Sequence, residues 1–107
     1  MAEKIRAIVK RADEEIGHVT AVSNSLENLQ RTVGGYIEAV TIINEDPKVV
    51  IICNEEGRLL GLPYNCTIDG ISFVGDILAV GVDGDEFADL PLAVTRKMWA
   101  RDFLGMI

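Results

Sequence analysis

The alternation of apolar and polar positions is the strongest signal in this chain, and it changes period several times. Ile5, Ala7 and Val9 alternate with polar neighbours across Lys4 to Lys10, and Ile16 to Val22 again sets β-branched residues between polar ones, so both segments read as strands. The charged turn Ala12-Asp13-Glu14-Glu15 is short enough to join them as a hairpin. After Val22 the period lengthens: Leu26, Leu29 and Val33 recur at helical spacing behind the capping residues Ser23-Asn24-Ser25. Asn24 with Glu27 has the spacing of a capping box, and Gly34-Gly35 supplies residues that can take positive φ where the helix stops.

Beyond the double glycine the pattern returns to strands. Tyr36 to Ile43 is rich in β-formers, and Val49 to Cys53 is continuously apolar, as a central strand covered on both faces would be. Asn44-Glu45-Asp46-Pro47 is the loop between them. Glu55-Glu56-Gly57 reads as a turn, Arg58 to Leu62 as a brief strand, and Pro63-Tyr64-Asn65 as a break, because proline donates no ladder hydrogen bond. The long apolar stretch Ile71 to Val82 is divided by Gly75-Asp76, which predicts a bend, a bulge or two shorter strands. Asp83 to Asp89 reads as a solvated acidic loop. Asp89 and Pro91 then open a helix whose stripe of Leu90, Val94, Met98, Trp99 and Phe103 runs to about Leu104. The order of elements predicts a single α+β domain over residues 1–107. It has a mixed or antiparallel sheet of about five strands, one short helix after strand two, and a C-terminal helix packed on the sheet.

Composition narrows the function classes. The chain has 107 residues, 49% of them apolar, which excludes a disordered chain, and no apolar run approaches the ~20 residues of a membrane span. Seventeen acidic residues against ten basic ones leave a net charge of −7, so the phosphate backbone of a nucleic acid is repelled. The charged residues among the first fifteen interrupt any signal-like apolar region, giving an expectation of a cytoplasmic protein with two free thiols. In that compartment the Asn65-Cys66-Thr67 glycosylation match has no role.

Most candidate chemistries fail on residue count or spacing. His18 is the sole histidine available as a base for Cys53 or Cys66, and Cys53 closes an apolar run in which a thiol behaves as a small hydrophobe. One histidine and two distant cysteines make no zinc set, and Asp83 to Val94 lacks the glycine and terminal glutamate of a calcium loop. Gly34-Gly35 follows a helix, whereas phosphate-cradling glycines precede one. The expectation is therefore no metal, no cofactor and no catalytic residue. What remains is a composite surface. If the strands on either side of Asn44 to Lys48 run antiparallel, Tyr36 and Glu38 lie at the same end as Asn54, Glu55 and Glu56, with Tyr64 and Asn65 at the next break.

The strings Leu29-Gln30-Arg31-Thr32-Val33-Gly34-Gly35-Tyr36-Ile37-Glu38, Cys53-Asn54-Glu55-Glu56-Gly57 and Gly61-Leu62-Pro63-Tyr64-Asn65 form the combined pattern LQxxVGGYIE and CNEEGxxxGLPxN. The pattern resembles a family of small uncharacterised proteins, a domain of unknown function found in bacteria, phages and mobile elements, over roughly residues 20–90. The C-terminal helix falls outside the resemblance. The resemblance implies an accessory protein of a mobile element or its host, for which binding is the commoner role. Two functions follow as expectations. One is a non-catalytic module that binds a protein partner or a nucleotide-like small molecule at Tyr36, Glu38, Asn54, Glu55, Glu56, Tyr64 and Asn65, sequestering a host defence signal. The alternative is a small enzyme using Glu38, Glu55 or Glu56 as general base. Trp99 and Phe103, crowded with Met106 and Ile107, also suggest a homodimer through the C-terminal helix.

Overall fold

The computed structural model describes residues 3–45 and 48–94. It contains β1 (Lys4–Lys10), β2 (His18–Ser23), α1 (Leu26–Val33), β3 (Ile37–Ile43), β4 (Lys48–Asn54), β5 (Tyr64–Ile68), β6 (Ile71–Val74), β7 (Ile77–Asp83) and β8 (Glu86–Ala88). The large sheet has six strands in the order β2-β1-β7-β4-β3, with β8 continuing beside β7, and β5-β6 form a separate two-stranded sheet. Every pairing is antiparallel. The architecture is α+β as predicted, but the sheet is larger than the five strands expected.

Alternation along the strands sorts the side chains into two cores. Ile5, Ala7, Val50, Ile52, Leu78 and Val80 face α1 and meet its Leu29 and Val33. Ile8, Val49, Ile51, Cys53, Ile77 and Ala79 face the other way and meet Cys66, Ile68, Phe73 and Leu90. β4 is therefore buried on both faces, which is why it lacks polar alternation.

Local chemistry sets the boundaries. The N-cap of α1 is Ser25, whose hydroxyl accepts from the Asn28 amide at 3.1 Å, and not Asn24 as the capping-box spacing suggests; Asn24 instead donates its side-chain amide to the Phe87 carbonyl. The two glycines after the helix answer different needs. Gly34 takes the left-handed conformation at φ 79°, while a Cβ at Gly35 would come within 2.9 Å of the Asn54 side-chain nitrogen.

Three segments depart from the sequence reading. Residues 58–62 are a run of turns and not a strand: the Leu60 amide bonds to the Glu56 carbonyl and that of Leu62 to the Gly57 carbonyl, and Leu59 and Leu60 stand in solvent. Pro63-Tyr64-Asn65 leads into β5, since Pro63 precedes the ladder and only its carbonyl is used, accepting from Gly75. Asp83 to Asp89 is no loop but the β7–β8 hairpin, turned by Gly84 at φ 62° between the paired residues Asp83 and Glu86. The divided stretch 71–82 does resolve into two strands, β6 and β7, at Gly75-Asp76. The structure describes residues 92–94 of the C-terminal helix, with Leu90 fully buried and Val94 packed on the core. The rest of that predicted helix lies outside the described residues.

Candidate functional site

β3 and β4 pair from Ile37↔Asn54 through Glu38↔Cys53, and the Glu55 amide continues the ladder by donating to the Tyr36 carbonyl at 2.8 Å. The double-glycine end of β3 and the acidic turn after β4 are therefore neighbours, as the antiparallel hairpin requires. Tyr36, Glu38 and Val40 follow the period-two rule and share the face on which Cys53 lies. A pocket of about 180 Å³ opens there, between this pair of strands and β6, and Glu38, Glu55, Glu56, Cys53, Phe73 and Leu59 are among its lining. Its floor is apolar and its rim carries three carboxylates. Arg58, also at the rim, donates to the Ser72 carbonyl at 2.9 Å and so ties the turn to β6.

The seven predicted site residues divide by what their polar atoms do. Glu38, Glu55 and Glu56 are exposed around the pocket, and Tyr36, 67% exposed, is outside its lining but joined to it through the Glu55 ladder bond. Asn54 is buried and structural. Its side-chain nitrogen donates to the Val33 carbonyl at 3.2 Å and its oxygen accepts from the Glu56 amide at 2.8 Å, closing an Asx turn that aims the acidic pair. Asn65 sits at a register shift between Tyr64↔Val74 and Cys66↔Phe73, where the bulge turns it inward. It donates to the Lys10 and Gly75 carbonyls at 2.9 and 2.7 Å and accepts from the Lys10 ammonium at 3.0 Å. The Tyr64 hydroxyl is engaged by Thr67 on β5 at 2.7 Å. The expected single surface thus reduces to Tyr36, Glu38, Glu55 and Glu56. Sequence reading missed Arg58, Leu59, Ile71 and Phe73, whose approach depends on β6 folding back over β4.

Electrostatics in the pocket follow the carboxylates. Burial, with the negative charge of Glu38 added, pushes the Cys53 thiol up from 9.0 to about 11, and its sulfur lies 3.7 Å from the Glu38 carbonyl oxygen. A thiol so held is a packing group, not a nucleophile. His18 lies on β2, at the far end of the strand order from β3. It pairs with Glu14 at 2.9 Å, and this hydrogen bond lowers the Glu14 carboxyl below the ordinary range.

Two larger clefts, each of about 540 Å³, flank α1 and hold none of the seven residues. Arg11 and Thr32 line both, and Arg11 already lies 3.7 Å from the Asp76 carboxylate. Among the described residues no group of three or more His, Cys, Asp or Glu is placed to hold a metal ion, and no helix is long and apolar enough to cross a membrane.

No curated protein and no solved structure matches the chain. A family model does, over residues 5–102, which extends the resemblance read from the motifs past both of its ends and brings most of the C-terminal segment, with Trp99, inside the family pattern. With nearly its whole length matched, the chain belongs to the family described as Domain of unknown function (DUF3846).

Proposed function

We propose that this protein is a non-catalytic docking module whose acidic pocket receives a basic side chain from a protein partner. The observation that carries this reading is the pairing of three carboxylates, Glu38, Glu55 and Glu56, with an apolar floor that includes Cys53 and Phe73. Lysine and arginine match such a site, because the aliphatic stem lies along apolar surface while the cationic head reaches the carboxylates. Size argues the same way: about 180 Å³ is below the ~300 Å³ at which small-molecule sites begin, and suits one side chain. The three carboxylates outweigh the single guanidinium of Arg58 at the rim and so repel phosphate, which favours a protein partner over a nucleotide-like ligand. The general-base alternative would use Glu38, Glu55 or Glu56 themselves, and all three stand exposed at the rim rather than inside a closed, water-excluding site. Exposed Tyr36 beside the pocket supplies the flat aromatic contact typical of protein interfaces. In a mobile element or its host, such a module would act by occupying a partner.

The test compares two triple variants with equal change in charge. Binding of a lysine- and arginine-bearing peptide, measured by fluorescence anisotropy, is expected to be lost in Glu38→Gln/Glu55→Gln/Glu56→Gln and kept in Glu3→Gln/Asp13→Asn/Glu15→Gln. Equal loss in both would reduce the effect to net charge and refute the pocket. Turnover of a substrate that Glu55→Gln abolishes would refute the non-catalytic reading.

A further inference from the structure

The large sheet ends at β2 in an edge that no described strand covers. β2 takes six consecutive partners from β1, Lys4↔Ser23 to Val9↔His18, without a bulge, and no described strand pairs with its outer side. Edge strands are normally blunted by a bulge, a proline or a charged side chain, because a free row of amides and carbonyls templates another strand. β3, at the opposite edge, has such an irregularity between Thr41 and Ile43. The β2 sequence His-Val-Thr-Ala-Val-Ser contains no proline, glycine, acidic residue, lysine or arginine, and residues 18–21 are all exposed. Exposed apolar side chains flank it on both faces: Val19, opposite Ile8 and 46% exposed, on the face away from α1, and Leu26 in the first turn of α1 on the other, with Ile16 just before the strand. In a chain of net charge −7, the charge on this edge is thus confined to its first residue, His18, which Glu14 holds at 2.9 Å, and Val19 to Ser23 are uncharged.

We propose that β2 is the seam of a two-fold homodimer, pairing antiparallel with β2 of a second copy so that the two large sheets become one. Charge and symmetry select this occupant. A two-fold axis perpendicular to the sheet keeps each side chain on its own face, so residues meet partners of the same parity. With the axis at Thr20, Val19 lies opposite Ala21 of the second copy, His18 opposite Val22 of the second copy, and Thr20 opposite itself. No like charges meet along the strand, as directly opposed pairs require. A ladder of this length buries less than the roughly 1,000 Å² of a stable interface, and Val19 on one face of the sheet and Leu26 on the other are the exposed apolar groups of both copies that can add to it.

This inference does not rest on the acidic pocket, which involves β3 at the other edge of the sheet. Salt separates the two: screening the net charge strengthens association of two acidic copies, whereas it weakens capture of a basic side chain. Sedimentation of the full chain across the micromolar range is expected to give twice the 11.7 kDa chain mass, with tighter association as salt is added. Thr20→Lys and Thr20→Glu, both at an exposed position, are each expected to be monomeric with unchanged circular dichroism, and an equimolar mixture of the two is expected to restore the dimer. Thr20→Cys gives a readout independent of charge. Opposed Cα atoms in an antiparallel pair lie about 4.5–5.5 Å apart, within disulfide range. The native thiols Cys53 and Cys66 are buried, so a cross-linked dimer on oxidation reports position 20. A monomer at every concentration would overturn the proposal. So would a dimer that survives Thr20→Lys and fails to cross-link through Thr20→Cys, which would place the contact elsewhere, as at Trp99 and Phe103.

Discussion

Replacing Asn65 tests whether this amide is a structural clamp or part of a binding surface. Leucine keeps the branched outline of asparagine with bulkier methyl ends, so Asn65→Leu removes the hydrogen bonds without opening a cavity. Three are lost: the donations to the Lys10 and Gly75 carbonyls and the acceptance from the Lys10 ammonium. Lys10 is only 3% exposed and would keep just the Glu14 carbonyl as acceptor. Two neutral bonds at about 1 kcal/mol each and one charged bond at about 1.5–3 kcal/mol put the loss at about 3.5–5 kcal/mol. For a domain of this size that lowers Tm by roughly 15–20 °C. Urea unfolding followed by circular dichroism measures the loss, and Lys10→Met completes a double-mutant cycle. The Lys10→Met/Asn65→Leu chain is expected to lose about 1–2 kcal/mol less than the sum of the single variants, because neither group is left buried without the other. A loss below about 1 kcal/mol, or strict additivity, would refute the clamp.

Four further outcomes are expected. Tyr36→Ala weakens peptide binding while changing stability by no more than about 0.5 kcal/mol, since the ring is exposed and the Glu55 ladder bond uses only the Tyr36 backbone; a larger loss in thermal unfolding would make Tyr36 structural. Gly81→Ala drives a Cβ into the Asp89 carbonyl oxygen and loses more than about 2 kcal/mol, whereas Gly84→Ala faces open space and loses only the roughly 1 kcal/mol of a left-handed alanine; denaturant midpoints showing equal losses would contradict this. Native Cys53, with its thiol raised to about 11, alkylates at pH 8 with roughly a hundredfold less thiolate than an ordinary cysteine, and Glu38→Gln speeds the reaction by removing the neighbouring negative charge; mass-resolved iodoacetamide labelling checks both. Because that folded-state thiol is raised, its contribution to stability is complete below the unfolded thiol's range and lost as pH climbs through about 11, which unfolding at pH 8, 9.5 and 11 would register.

Much of the scaffold was legible because burial writes itself into period. Val49 to Cys53 announced a strand covered on both faces, Leu29 and Val33 announced the buried side of α1, and Gly75-Asp76 marked the place where β6 gives way to β7. The apolar residues of 58–62 misled for the same reason in reverse: Leu59 and Leu60 look like core and are 87% and 60% exposed. The acidic run Asp83 to Asp89 hid β8 because an edge hairpin three residues long needs little apolar content. At the site, the hairpin register brought Tyr36 to Glu55 as expected. Nothing local distinguished Asn54 and Asn65, with inward amides, from surface turn residues, since their partners Val33 and Lys10 are distant in sequence.

Strands β4 and β7 are immediate neighbours in the large sheet, yet residues 55–76 separate them in the chain. That detour is fastened at each end: Asn54 holds the amides of Glu56 and Gly57, and Pro63 holds that of Gly75. Between these fasteners Leu59 and Leu60 project outward without supporting the sheet. Substitutions at these two positions therefore leave the sheet framework intact, so the detour can change its outer surface without cost to the fold.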